Sequence, residues 1–337
     1  MAKSKDTKRK IMSFILIIIS IAFLSYIMLK DPKEIRLIFL ESNKWLLLTV
    51  FALQILSFAV NAVTSNTLLD FVGEKTSLIN NFKISIMNEF GNKIMPIAGG
   101  SITSYIAYKR LKLSISSIIF LETAWVVLLF SQYVIFFILS ALIIPHNYIS
   151  LIPKVALLIF SVTVIGAIFL WYFLIKKNKG ALLHRIIEKI IHVIRYVIPF
   201  AFEEDDVTSK IVSGINKLEE NFPLFFAQGK RAAAVFFLFT IYFLLDITML
   251  YISFLAFGTS VPYALVIFGY LLSLLLSLLT LIPGQPGVTE ASLVLIFSAF
   301  GIESHNAILA TLLFRLVSYW IWVPIGIYLT FSKHNEA

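Results

Sequence analysis

Long apolar runs are the feature of this sequence that most constrains its fold. Residues 11–29 contain no charged side chain and are long enough to span the hydrocarbon core of a bilayer as a helix. Similar runs, most of them carrying few or no charges, recur at about 45–69, 114–144, 151–175, 232–257, 263–282 and 307–331. The sequence therefore predicts an all-α integral membrane protein, a single polytopic domain over residues 1–337. It has about eight hydrophobic passes if the short apolar run at 288–302 also crosses.

Composition excludes several classes of protein. Only 14% of the residues are charged, against about 25% in a soluble globular chain, so a soluble fold could not bury the apolar surface. The absence of cysteine excludes disulfides, thiolate metal sites and a cysteine nucleophile, and we predict no metal and no cofactor. The basic residues that give the chain its net charge of +9 lie beside the apolar segments. This placement is typical of the signals that set membrane topology. We therefore expect membrane lipids, and not nucleic acid, as partners.

The basic residues also predict the orientation of the chain. Five of the first ten residues are lysine or arginine, so we expect a cell-membrane protein with a cytoplasmic amino terminus. A cleaved signal peptide is the alternative, although the sequence after residue 29 offers no small-residue cleavage site. Residues 176–230 have an apolar face opposite a basic one, which predicts a cytoplasmic amphipathic connector between two halves.

Two segments that proline and glycine interrupt stand out, one in each half. Residues 81–112 are too polar and too broken for one straight span, and we interpret them as a re-entrant or interrupted helical hairpin. A second break lies at 281–288. Such breaks in corresponding positions indicate a central transporter site, so we predict that the segments meet near the middle of the membrane. The binding candidates here are Asn88, Glu89, Asn92, Pro96, Gly99, Gly100, Pro283, Gly284 and Gly287.

Polar side chains form stripes on two of the predicted spans. Their spacings of three and four residues place each stripe on one helix face. Because unpaired polar groups are costly in hydrocarbon, we expect these faces to point into the bundle, either as packing contacts or towards a wet cavity. The two stripes are Gln54, Ser57, Asn61, Thr64 and Ser65 in one span, and Tyr270, Ser273, Ser277 and Thr280 in the other.

Four charged residues lie in apolar surroundings: Glu122, Asp246, Glu290 and Arg315. Each costs about 2.5 to 3.5 kcal/mol at the centre of a membrane helix unless it is paired or hydrated. We therefore predict that Arg315 lies within reach of Glu122 or Glu290. Such a pair is either a buried structural clasp or part of a site for a lipid headgroup, and both alternatives remain open at this point.

Residues 282–326, IPGQPGVTEASLVLIFSAFGIESHNAILATLLFRLVSYWIWVPIG, resemble the carboxyl-terminal signature of the lysylphosphatidylglycerol synthase transmembrane-region family. In that family a Pro-Gly-x-x-Gly-x-x-Glu element precedes a Tyr/Phe-Arg and an aromatic-rich last helix. The glycine falls at Gly287, the glutamate at Glu290 and the arginine at Arg315. Residues 88–114 resemble the amino-terminal partner element, a Pro-x-x-x-Gly before a basic pair. The sequence departs by the proline Pro286 beside that glycine, and by Ser101 to Thr103, which lack the acidic residue that some members carry.

The resemblance implies a flippase-like domain, which in bacterial multiple-peptide-resistance proteins moves a lipid after a separate soluble domain has aminoacylated it. No part of this sequence matches such a soluble domain, so we expect a transporter and not an enzyme. The expected cargo is a phospholipid, aminoacylated or not, or a polyprenyl-phosphate glycolipid. In this reading Arg315 binds phosphate, and Glu290 or Glu122 holds a cationic group or a proton.

Two other functions compete with lipid transport. One is an intramembrane enzyme or accessory subunit in lipid-linked sugar or aminoacyl-lipid metabolism, with Glu122 or Asp246 as a general base. The other is a non-catalytic partner that holds a separate synthase at the membrane.

Overall fold

The structure is a computed structural model that describes residues 40, 42–94, 99–144, 227–280 and 288–332. The helices are α1 (Lys44–Phe71), α2 (Leu78–Ile94), α3 (Gly99–Arg110), α4 (Ile115–Ile143), α5 (Gly229–Ala256), α6 (Tyr263–Thr280), α7 (Val288–Ala299), α8 (Ser304–Arg315) and α9 (Trp322–Phe331). A short π-helix, Leu316–Trp320, joins α8 to α9. No strand occurs among these residues.

The described helices repeat one pattern. A long helix of 28 residues, α1, is followed by the pair α2 and α3 and then by α4, which has 29 residues. A second 28-residue helix, α5, is followed by the pair α6 and α7 and then by the helical stretch Ser304–Phe331. The first helix of each half also ends at a left-handed glycine, Gly73 and Gly258, a conformation that glycine adopts without steric cost.

The two halves run in opposite directions. Helices α1 and α5 make the most extensive contact between helices in the described structure. Asn43 N, just before α1, donates to the Ala256 carbonyl at the end of α5 at 2.8 Å, and Ser57 near the middle of α1 bonds to Asp246 of α5. The first helices of the halves are therefore antiparallel, which is the relation found in inverted-repeat transporters.

Each pair of short helices forms an antiparallel hairpin. In the first hairpin Tyr108 bonds to Asn81 near its open end, and Gly100 bonds to Asn92 near its closed end. In the second, Phe268 of α6 packs against Phe300, just beyond α7. Each hairpin also contacts the last long helix of the other half, α2 against α9 and α6 against α4. This exchange joins the halves into one bundle.

Four described helices are long and apolar enough to cross a membrane: Lys44–Phe71, Ile115–Ile143, Gly229–Ala256 and Ser304–Phe331. Their outer faces carry exposed apolar side chains such as Leu48, Leu139 and Phe237, whereas the polar stripe on α1 is turned inwards, with Gln54, Ser57, Thr64 and Ser65 buried. The predicted all-α membrane fold is confirmed. The predicted passes at 11–29 and 151–175 and most of the connector at 176–230 lie outside the described residues.

Candidate functional site

An ion pair between two helices of the second half forms the centre of the site. Arg315 ends α8, and Glu290 lies in the first turn of α7. Arg315 Nε donates to Glu290 Oε1 at 2.8 Å, with 7% and 16% of the respective side chains exposed. The prediction that Arg315 pairs with a membrane carboxylate is confirmed, and of the two carboxylates proposed, Glu290 is the partner.

The Arg315 guanidinium is only partly used by this contact. Its Nη2 atom is buried and has no hydrogen-bond partner among the described residues. The ring of Tyr319 lies under the guanidinium, with its centroid 4.0 Å from Cζ, a cation–π arrangement that holds the group in place. A buried donor without a partner costs about 1–3 kcal/mol, and more when it is charged. The open Nη2 is therefore available to donate to an anionic oxygen.

The π-helix positions Tyr319 and the residues after it. In this wide turn Ile321 N donates to the Leu316 carbonyl at 3.2 Å, and the indole Nε1 of Trp322 donates to the Val317 carbonyl at 2.7 Å. Pro324 follows one turn later, where its ring would clash with the preceding turn of a regular α-helix. Such π-turns are often found at functional sites.

Neutral hydrogen bonds hold the first hairpin together. Asn88 Oδ1 accepts from Ser104 Oγ at 2.7 Å and from Thr103 Oγ1 at 3.2 Å, and Asn92 Oδ1 accepts from Gly100 N at 2.9 Å. Close approach of the two backbones requires Gly91, because a side chain there would meet the Gly99 carbonyl group. The structure thus places Asn88, Asn92, Gly99 and Gly100 along the contact between the two helices of this hairpin.

Glu122 lies at this hairpin and is not paired with Arg315. Its carboxyl group lies close to the hydroxyls of Ser101 and Ser104 on α3 and to the Tyr108 phenol. Two other acids, Asp246 and Glu89, act electrostatically on a group of tyrosines. Asp246 and Glu89 both interact with Tyr242 and Tyr270, and Glu89 also interacts with Tyr319 beside the ion pair.

Four of the predicted site residues, Pro96, Pro283, Gly284 and Gly287, lie outside the described residues, so the meeting of the two Pro/Gly segments stays a prediction. Sequence reasoning missed Tyr319, whose position four residues after Arg315 places it on the same helix face. It also missed Tyr242, which is four residues before Asp246. Each of these tyrosines lies one helix turn from a charged residue in an apolar segment. That spacing is the sequence feature from which they could have been predicted.

These features define a class of protein: helical membrane proteins with two inverted halves and a buried ion pair. The model of the family described as "Lysylphosphatidylglycerol synthase TM region" matches residues 12–326, and the chain belongs to this family. It is also similar to a "UPF0104 membrane protein" of Methanocaldococcus jannaschii, 27% identical over 97% of this chain and 95% of the relative. A UPF0104 membrane protein of Pyrococcus horikoshii is 28% identical over 40% of this chain and 41% of the relative.

Proposed function

We propose that this protein moves a lipid with an anionic headgroup between the leaflets of the cell membrane, as a transporter and not as an enzyme. The cargo is a phospholipid, aminoacylated or not, or a polyprenyl-phosphate glycolipid, and the family description names a lipid of the first kind. A separate synthase supplies the aminoacylated form where that is the cargo. The basic residues beside the first hairpin, Lys109 and Arg110 among them, lie on the cytoplasmic side.

The observation that carries the proposal is the half-used guanidinium of Arg315. Its Nε is held by Glu290, while its buried Nη2 is open among the described residues. Phosphate oxygens match the fork of a guanidinium, and an arginine at this depth needs such a partner. Glu290 keeps the charge balanced before the lipid enters, and it is available to a cationic group on the headgroup afterwards.

The inverted halves support movement across the membrane. In proteins of this kind the cargo lies near the midplane between broken helices, and one half moves against the other. We propose that the two hairpins re-enter the membrane from opposite sides. Asn88, Glu89, Asn92, Gly99, Gly100 and Glu122 then line the route on the first hairpin, with Pro96, Pro283, Gly284 and Gly287 at the breaks.

The test is a leaflet-specific lipid assay. The full chain is reconstituted in vesicles of phosphatidylethanolamine and phosphatidylglycerol that carry fluorescent phosphatidylglycerol, and dithionite reports the label in the outer leaflet. Parallel arms use lysyl-phosphatidylglycerol and a polyprenyl phosphate. We expect the wild type to expose inner-leaflet label of at least one of these lipids and Arg315→Met to abolish this exposure.

The matched control is Arg231→Met, because Arg231 is an exposed arginine that bonds only to Gln228 in the same helix turn. It should translocate lipid at the wild-type rate. Translocation by folded Arg315→Met at the wild-type rate for all three lipids would remove Arg315 from the mechanism, and no translocation by the wild type would overturn the proposed function for these cargoes.

A further inference from the structure

A buried threonine lies one helix turn before the arginine of the ion pair. Thr311 of α8 is 0% exposed, and its Oγ1 atom has no hydrogen-bond partner among the described residues. The same is true of the Nη2 atom of Arg315, four residues further along α8. Residues four apart are neighbours on one face of a helix. This face of α8 therefore carries two buried groups, a hydroxyl and a guanidinium nitrogen, that both lack an acceptor.

Threonines in other described helices satisfy their hydroxyls locally. Thr64, Thr240 and Thr330 each donate to the carbonyl four residues earlier in their own helix, at 2.7 to 2.8 Å. Thr311 has the same option in the Ala307 carbonyl but does not use it. Because a buried hydroxyl without a partner is destabilising, its open state indicates a partner that comes from outside the helix.

The contacts of Arg315 show which part of its side chain such a partner can reach. Helical side chains lean towards the amino-terminal end of their helix, so the guanidinium extends back over the turn that contains Thr311. Glu290 of α7 accepts from its Nε at 2.8 Å, and the ring of Tyr319 lies against one face, 4.0 Å from Cζ. With these positions occupied, the buried Nη2 atom remains for a ligand.

A phosphate group is the ligand that suits this pair of groups. Its oxygens can accept from a guanidinium N–H and from a hydroxyl at the same time, and hydrogen bonds to a charged oxygen are about twice as strong as those between neutral groups. A metal cation does not suit them, because a guanidinium offers no lone pair. The first turn of α7, where Glu290 lies, adds the positive end of a helix dipole.

We propose that Thr311 and Arg315 form one phosphate-binding site, in which the Thr311 hydroxyl donates to one phosphate oxygen and Arg315 Nη2 donates to another. This inference rests on the proposed function and adds a residue that positions the lipid phosphate beside the arginine. Both groups are closed off in this conformation, so the phosphate reaches them when one half has moved against the other. Their unsatisfied state in the closed structure favours that movement.

The first measurement is lipid binding without transport. The purified full chain is melted in detergent micelles at increasing concentrations of each lipid of the transport assay, because a ligand of the folded state raises the melting temperature by mass action. We expect Thr311→Val to weaken the binding of the lipid that stabilises the wild type roughly tenfold. Thr311→Ser keeps the hydroxyl and should bind as the wild type does. Diacylglycerol, which has no phosphate, should not distinguish the three proteins.

Melting without lipid separates a binding role from a structural one. Thr311→Val should melt at or above the wild-type temperature, because a methyl group of the same shape replaces an unsatisfied hydroxyl. A clear drop would show that the hydroxyl is bonded within the folded chain, which would overturn the inference. The matched control is Thr330→Val, because Thr330 is buried but bonds to the Gly326 carbonyl of its own helix. It should leave the lipid affinity unchanged.

The remaining outcomes distinguish this inference from the proposed function. Equal affinities of Thr311→Val and the wild type would remove Thr311 from the site and leave the proposed function intact. Stabilisation by inorganic phosphate and by none of the lipids would assign the site to free phosphate, and no stabilisation by any of these ligands would overturn the site. If lipid binding depends on Thr311 but the wild type moves no lipid in the dithionite assay, the proposed function fails and the phosphate site stands.

Discussion

The two hairpins have corresponding places in the two halves, but the contacts among their described residues are of different kinds. The first hairpin, α2 and α3, is closed by neutral hydrogen bonds of Asn88 and Asn92 and by the glycine contact at Gly91. In the described part of the second, α6 and α7 make apolar contacts such as those of Phe297 with Gly269 and of Phe300 with Phe268. Its charged residue, Glu290, reaches outside the hairpin to Arg315.

This difference suggests that the two halves have different roles. Hydrogen bonds between neutral groups of fixed geometry define one arrangement, and each is expensive to leave unmade in a buried place. An ion pair with an open donor, by contrast, can exchange its partner for a charged ligand. We therefore interpret the first hairpin as the rigid half of the molecule and the second as the half that responds to the cargo.

The largest expected effect concerns the ion pair of the second hairpin. Arg315→Met or Glu290→Gln alone leaves one buried charge unpaired and should cost about 3–5 kcal/mol of unfolding free energy. The double change removes both charges and should recover most of that loss. Equilibrium unfolding in mixed detergent micelles measures all three variants.

Strictly additive losses would contradict this, because they would show that Arg315 and Glu290 do not interact. The lipid assay then separates the structural clasp from the transport site. If the pair is part of a transport site, the double variant should be stable but move no lipid. Full translocation by that variant would show that the pair has only a structural role.

Gly91→Ala should destabilise the first hairpin more than Gly269→Ala destabilises the second. At Gly91 the new methyl group would meet the backbone of Gly99, which cannot move without opening the hairpin. At Gly269 it would meet the ring of Phe297, which can rotate away. We expect a loss of about 1–3 kcal/mol for Gly91→Ala and a smaller one for Gly269→Ala, by the same unfolding measurement. Gly229→Ala, with open space around it, is the control, and equal losses at Gly91 and Gly269 would break the comparison.

Asn88→Ala should cost about 1–2 kcal/mol, because the hydroxyl of Ser104 loses its acceptor in a buried place. The matched change in the second hairpin is Ser273→Ala. Ser273 bonds only to the Tyr270 carbonyl in its own helix, so we expect about 0.5 kcal/mol or less. Thermal melting of the two variants side by side decides the order. A larger drop for Ser273→Ala would contradict the assignment of the polar, rigid hairpin to the first half.

The smallest effect is expected at the π-helix. Trp322→Phe keeps an aromatic ring against Phe58 but removes the N–H that satisfies the Val317 carbonyl, for a loss of about 1 kcal/mol. Trp125→Phe, in α4 of the other half, keeps its ring contacts with Phe239 and Tyr242 and is the comparison. If the two substitutions lower the melting temperature equally, the hydrogen bond to the Val317 carbonyl does not stabilise the π-turn.

Several elements were predictable from local pattern. The break within 81–112 predicted a hairpin, and α2 and α3 lie there; the short helix predicted from 288 is α7. The inward stripe on α1 and the pairing of Arg315 followed from the cost of polar groups in hydrocarbon. The π-helix was not predictable, because Leu316–Trp320 has the composition of an ordinary helix and only the neighbouring turns decide its width.

By itself the sequence determined that this chain forms helices in a membrane and that its rare charges must find partners inside, since hydrocarbon permits no other outcome. Tertiary structure decided which partners. Glu122 and Glu290 were equivalent candidates for Arg315, and the crossing of α7 and α8 selected Glu290 while α3 surrounded Glu122 with serine hydroxyls. It also joined Asn61 of α1 to Ser85 and Asn81 of α2 by hydrogen bonds. Helix periodicity fixes which residues share a face, but the packing of helices distant in sequence fixes what that face meets.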